Sequence, residues 1–153
     1  QIRRQRQMCI RDSAGIVNGF RDEFKKIESH GIDMIFCNDD EAIAFAGTET
    51  FDDAVSFYKE QAYMIAITKG SEGSLIIKNG KEIFSPAESI NPVDTNGAGD
   101  MFAGSFMYAY LNGFDLASCA EFSNFASSKI VETFGPRLTP DGYREVLNKL
   151  KKS

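Results

Sequence analysis

The run Asp94-Thr95-Asn96-Gly97-Ala98-Gly99-Asp100 places two glycines and a carboxylate at the mouth of an apolar-periodic segment, residues 101–111. The first turn of a helix carries unpaired backbone N–H groups and a partial positive charge, so it can hold an anion such as a phosphoryl group. Gly97 and Gly99 let the backbone approach that anion with no Cβ in the way. Asp100 repels a phosphate, so its use there is as a base that takes a proton from an attacking hydroxyl. The chemistry these residues support is phosphoryl transfer to an alcohol. The plain alternative is a glycine-rich turn that merely caps a helix, and a bare pair of glycines would not rise above it.

Two further clusters follow short apolar runs. Asn38-Asp39-Asp40-Glu41 comes directly after residues 32–37, and Thr68-Lys69-Gly70-Ser71-Glu72-Gly73 directly after residues 63–67. Ligand groups in open α/β sheets gather at the carboxyl ends of strands, which makes both places candidates. The first is equally a good helix start, with acidic side chains on the positive end of the dipole. In the second, two glycines and a hydroxyl permit a tight turn with exposed backbone donors, or a plain link to a hairpin.

Taken together, the three clusters resemble the PfkB or ribokinase family of carbohydrate and nucleoside kinases. Residues 94–100 are similar to its D-T-x-G-A-G-D motif, Asn38 and Glu41 to its N-x-x-E pair, and residues 68–73 to its T-x-G-x-x-G element, in the family's order. The resemblance implies a ribokinase-like three-layer α/β/α (Rossmann-like) fold and transfer of the γ-phosphate of ATP to a nucleoside or sugar hydroxyl. It implies Asp100 as the catalytic base, with the backbone of Gly97, Ala98 and Gly99 as the anion hole. Asn38, Thr68, Gly70, Gly73 and Gly99 would line the ATP site. Asn124 matches by spacing a position set against the nucleotide. Asn38 and Glu41 would hold Mg²⁺ through water, which suits an ion that takes few direct protein ligands. A monovalent cation, K⁺, is implied near Asp94 and the run Phe134-Gly135-Pro136-Arg137-Leu138, although the side chains do not establish it. Residues 94–106 and 134–138 look most like the bacterial adenosine-kinase-like branch. The alternatives are a ribokinase- or fructokinase-type sugar kinase, or a fragment that binds nucleotide without turnover. A dinucleotide-dependent dehydrogenase fits badly, because its glycine fingerprint belongs after the first strand of a βαβ unit and here the glycines come late and end in Asp.

The elements that must position these residues follow from periodicity. Ile16, Phe20, Phe24 and Ile27 predict a helix over roughly 15–29, ended by Gly31, with His30 as an exposed turn residue. Residues 32–37 and 63–68 read as buried parallel strands. Residues 39–46 read as a short helix closed by Gly47, and Thr50 caps a second helix to about 61, with Phe51, Val55 and Tyr58 on one face. Residues 74–78 and 81–85 flank Asn79-Gly80, a hairpin dipeptide. Helices are expected to Leu111, from Asp115 to about Phe134, and from Pro140, with Thr139 as cap, to Lys151. Phe102, Phe106, Tyr108 and Tyr110 read as packing, not as a base-stacking platform.

Composition bounds the rest. The 153 residues include 17 Lys and Arg against 22 Asp and Glu, a net charge of −5 that argues against a nucleic-acid surface. No stretch approaches the ~20 apolar residues of a membrane helix, and Cys9, Cys37 and Cys119 show no metal spacing and suit a reducing compartment. With what the resemblance implies, a cytoplasmic enzyme acting on a small-molecule nucleoside or sugar is expected, without nucleic-acid or membrane partners; a homodimer is left open. Residues 3–13 can be written as codons that resemble a sequencing-library adapter read in one frame. Residues 1–13 are accordingly read as an adapter-derived, non-native segment, and 14–153 as the C-terminal nucleotide-binding part of a kinase domain. A genuine basic N-terminal arm is the alternative.

Overall fold

The structure is a computed structural model that describes the backbone of residues 7–9 and residues 32–61 and 63–150. The helix expected over 15–29 and the turn at His30 lie outside the described residues. Five strands form one sheet in sequence order: β1 (Gln7–Cys9), β2 (Met34–Asn38), β3 (Met64–Thr68), β4 (Gly73–Lys78) and β5 (Lys81–Pro86). β1, inside the segment assigned above to an adapter, pairs parallel with β2.

The described chain forms two compact units, one taking in residues up to Thr68 with Ile76–Glu82, the other Lys69–Leu75 with Ile83–Ser153. In the first unit, β2 and β3 pair parallel in a register that sets Asn38 beside Thr68. Their residues Met34–Cys37 and Met64–Ile67 are all buried, which explains why both strands read as unbroken apolar runs. Helix α1 (Asp39–Ala46) starts on the residue after β2 ends, and Gly47 closes it at φ 71° in the left-handed region. Helix α2 (Phe51–Lys59) is capped by Thr50, whose hydroxyl accepts from Asp53 N–H. The Tyr58 hydroxyl donates to the Ala42 carbonyl at 2.9 Å and locks α2 to α1. Asn79 and Gly80 turn the β4–β5 hairpin with φ of 52° and 74°, both positive as a two-residue turn of this kind needs.

In the second unit, α3 (Ala98–Leu111) packs on α4 (Leu116–Val131), and α4 on α5 (Pro140–Leu150). Asp115 caps α4 and the Thr139 hydroxyl caps the start of α5. Phe102 and Phe106 are buried with Cys119, Phe122, Ala126 and Ile130, as packing residues should be. Tyr108 departs from that expectation and is 48% exposed. Two residues beyond Phe106, it sits about 200° around a 3.6-residue helix from that buried position.

Candidate functional site

Each unit carries part of the predicted constellation. In the first, Asn38 and Thr68 end neighbouring parallel strands, where polar groups can face a ligand. Asn38 is also the cap of α1. Its Oδ1 accepts from Glu41 N–H at 2.8 Å, and Glu41 Oε2 accepts from Asn38 N–H at 2.9 Å. This reciprocal pair satisfies two backbone donors at the helix start. The Asn-Asp-Asp-Glu run is therefore a capping device in fact, whatever else it does. Glu41 is only 4% exposed, so its carboxylate is held by the helix dipole and the cap in place of water. Thr68 Oγ1 points to the Cys37 carbonyl at a long 3.4 Å.

In the second unit the Asp94–Asp100 run enters α3. Gly97 is the N-cap at φ 83°, and it brings no side chain to satisfy the first turn. Ala98 N–H makes a 3.3 Å turn bond to the Thr95 carbonyl. That takes one of the three donors expected in the anion hole and leaves the weight on Gly97 and Gly99. The two glycines differ in purpose. A Cβ at Gly97 would lie 3.0 Å from Pro136 Cα and 3.1 Å from its Cβ, so this glycine serves both a left-handed turn and a close approach. A Cβ at Gly99 would meet nothing within 4 Å. Its bareness is not needed by the fold, and the space before the first turn stays open. Asp100, in the first turn, is exposed. Beside it a cleft of about 380 Å³ runs between α3, α4 and α5, bordered by Gly104, Tyr108, Tyr143 and Leu147.

The Asp94 carboxylate binds backbone: Oδ1 accepts from Asn96 N–H at 2.9 Å and Oδ2 from Gly135 N–H at 3.0 Å. These donors hold its carboxyl below the usual 3.8. Ser127 Oγ donates to the Ala98 carbonyl at 3.1 Å and fastens the start of α3 to α4. The resemblance set the run 134–138 beside Asp94 only through an implied cation; it did not foresee the Gly135 N–H bond, the Pro136 contact with Gly97, or Ser127 as a partner of the motif.

Gly73 and Asn124 both meet the end of β5. A Cβ at Gly73 would stand 2.1 Å from the Ser85 carbonyl oxygen, so the close approach demands glycine. Gly70 is in the left-handed region at φ 52° with open space around it. Asn124 is buried, and its Nδ2 donates to the carbonyls of Ser85 at 2.8 Å and Pro86 at 3.3 Å. The structure thus gives Asn124 a holding role on β5, where the resemblance implies a nucleotide contact. Among the described residues, no group of three or more His, Cys, Asp or Glu could hold a metal ion, and no helix is long and apolar enough to cross a membrane.

A glycine-bearing helix start on an α/β scaffold offers backbone donors to an anion. The chain belongs to the pfkB family of carbohydrate kinases, whose model matches residues 1–141. It is similar to the adenosine kinase from Sinorhizobium meliloti, with a TM-score of 0.88 and 29% identity over 95% of this chain and 45% of that one. It is 40% identical to an uncharacterized sugar kinase of Archaeoglobus fulgidus over 48% of this chain and 30% of that protein. To the ribokinase of Bacillus subtilis it is 34% identical over 64% of this chain and 32% of that enzyme. The fold is the ribokinase-like α/β fold expected from the sequence, and the chain spans between 30% and 45% of the length of these three relatives.

Proposed function

We propose that this chain is the nucleotide-binding part of an ATP-dependent kinase that moves the γ-phosphate to a hydroxyl of a nucleoside or sugar. The observation that carries this reading is the start of α3: an uncapped first turn, open space at Gly99, and Asp100 directly beside it, in a member of a kinase family. Asp100 takes the proton of the acceptor hydroxyl. The oxygen so freed forms a bond to the γ-phosphorus as the bond to the departing ADP breaks, and the N–H groups of Gly97 and Gly99 steady the charge on the transferred group. Asn38 and Glu41 offer hard oxygen atoms at the end of β2, which fit Mg²⁺ held through its own waters. When bound, that ion neutralises phosphate charge. Each Asp94 carboxylate oxygen accepts one N–H bond, and no step is assigned to K⁺.

The acceptor is a nucleoside or a ribose-type sugar in preference to a hexose phosphate, and the place of action is the cytoplasm. The likeness to an adenosine kinase supports the first choice, while the likeness to a ribokinase keeps sugar phosphorylation as the second. The test uses the complete gene product. Asp100→Asn should still bind ATP and lose phosphotransfer by about 10² or more. Near-normal turnover of that variant would sink the assignment of the base. In an acceptor panel, phosphorylation of ribokinase-type sugars but not adenosine would overturn the preference for a nucleoside.

A further inference from the structure

The implied cation leaves the Asp94 carboxylate itself unexplained. Its two oxygens bridge amides 39 positions apart in the chain, Asn96 N–H at 2.9 Å and Gly135 N–H at 3.0 Å. Three more contacts fasten the same two segments. Val93 N–H and Asp94 N–H both donate to the Val131 carbonyl, at 2.9 and 3.2 Å, and Pro136 packs against Gly97 so closely that a Cβ there would fall 3.0 Å from its Cα. Gly97 is the residue from which α3 departs, at φ 83°. Where Gly97 sits decides where the first-turn N–H groups point, and where the loop leaving α4 sits decides Gly97.

We propose that Asp94 is a positioning residue, whose carboxylate clamps the turn entering α3 to the Gly135–Pro136 loop and so holds the first-turn N–H groups ready for a phosphoryl group. This rests on the phosphate reading of α3 given above. An ionised carboxylate accepting from two backbone amides is among the stronger hydrogen-bonding arrangements, and neither bond depends on a ligand being present. A cradle ordered beforehand loses less freedom when the anion arrives. By reciprocity, an anion that favours the clamped arrangement must strengthen the clamp.

The test measures amide hydrogen exchange and the affinity for inorganic tripolyphosphate in wild type, Asp94→Asn and Asp94→Ala. In Asp94→Asn the side-chain oxygen can still accept from Asn96 N–H, while its NH₂ faces the Gly135 N–H donor to donor. The Asn96 amide should therefore stay protected in Asp94→Asn and lose protection in Asp94→Ala, whereas Gly135 loses protection in both. Tripolyphosphate affinity should follow Gly135, falling about tenfold or more in both variants, the size of loss typical when a supporting partner is removed from a ligand site. In wild type, saturating tripolyphosphate should slow exchange at Gly135. Binding without that slowing, or an Asp94→Asn variant that binds like wild type, overturns the positioning role and leaves the phosphate reading standing. A wild-type chain that does not bind tripolyphosphate overturns the phosphate reading and the role of Asp94 with it.

Discussion

At the scale of single residues, Gly97 and Gly99 sit two positions apart in one motif and do opposite work. Gly97 holds a left-handed φ of 83° against Pro136, so Gly97→Ala should cost about 1–3 kcal/mol of stability through backbone strain and crowding. Gly99 is inside the first turn with nothing within 4 Å of its absent Cβ, and alanine is the better helix former there by about 0.5–1 kcal/mol. Gly99→Ala should therefore leave the denaturant midpoint unchanged or raised, yet weaken tripolyphosphate binding by about tenfold as the methyl enters the open space. A Gly99→Ala chain that binds like wild type would remove Gly99 from the cradle. The sequence showed the need for glycines at an anion site, because that need is local. It could not separate the two, because Pro136 lies 39 positions from Gly97 and its contact is a product of folding. The bond from Gly135 N–H to Asp94 was opaque for the same reason: the sequence marks Asp94 as the first residue of the motif but does not show which distant amide its carboxylate accepts from.

At the scale of elements, the strand-to-helix joint at Asn38 carries two readings at once. The cap of α1 is present, with Asn38 and Glu41 exchanging backbone-to-side-chain bonds, and a role towards Mg²⁺ is proposed for the same pair. Glu41→Gln separates them. A glutamine carbonyl can still accept from Asn38 N–H and keep the capping box, while the charge is gone. Stability should change by less than about 1 kcal/mol, since the cap survives. The Mg²⁺ concentration needed for half-maximal ATP binding should rise roughly tenfold if the carboxylate steadies the hydrated ion. A stability loss with no shift in Mg²⁺ dependence would make Glu41 a cap and nothing more. Element types and most boundaries were legible here. Thr50, Asp115 and Thr139 appear as caps, and Gly47 and Asn79-Gly80 as turns, since each acts through bonds within a few residues. Asn124 was not legible: helical spacing placed it on α4, but only the packed structure shows its amide on the Ser85 and Pro86 carbonyls.

At the scale of the whole chain, the family was legible because three short motifs each carry their own local chemistry in a fixed order. The acceptor was not, because residues that select an acceptor must come from chain that surrounds it, and this chain spans 30–45% of the three relatives described above. We keep as a proposal that residues 1–13 are adapter-derived; genomic sequence upstream of codon 14 that encodes the same thirteen residues would refute it. The 153-residue chain already holds an uncapped first turn at α3, the Asp94 carboxylate bridging to Gly135 N–H, and Asp100, the proposed base. Phosphate binding would draw on the first-turn N–H groups of α3, whereas transfer also requires an acceptor held in line and water excluded from the reacting atoms. The chain should therefore bind ATP and tripolyphosphate by calorimetry, yet release no ADP above background in a coupled assay with adenosine or ribose. The complete gene product should turn over. Adenosine-dependent ADP release by the 153-residue chain itself, abolished by Asp100→Asn, would overturn this expectation and place a working acceptor site within these residues, with the cleft beside Asp100 the first place to find it.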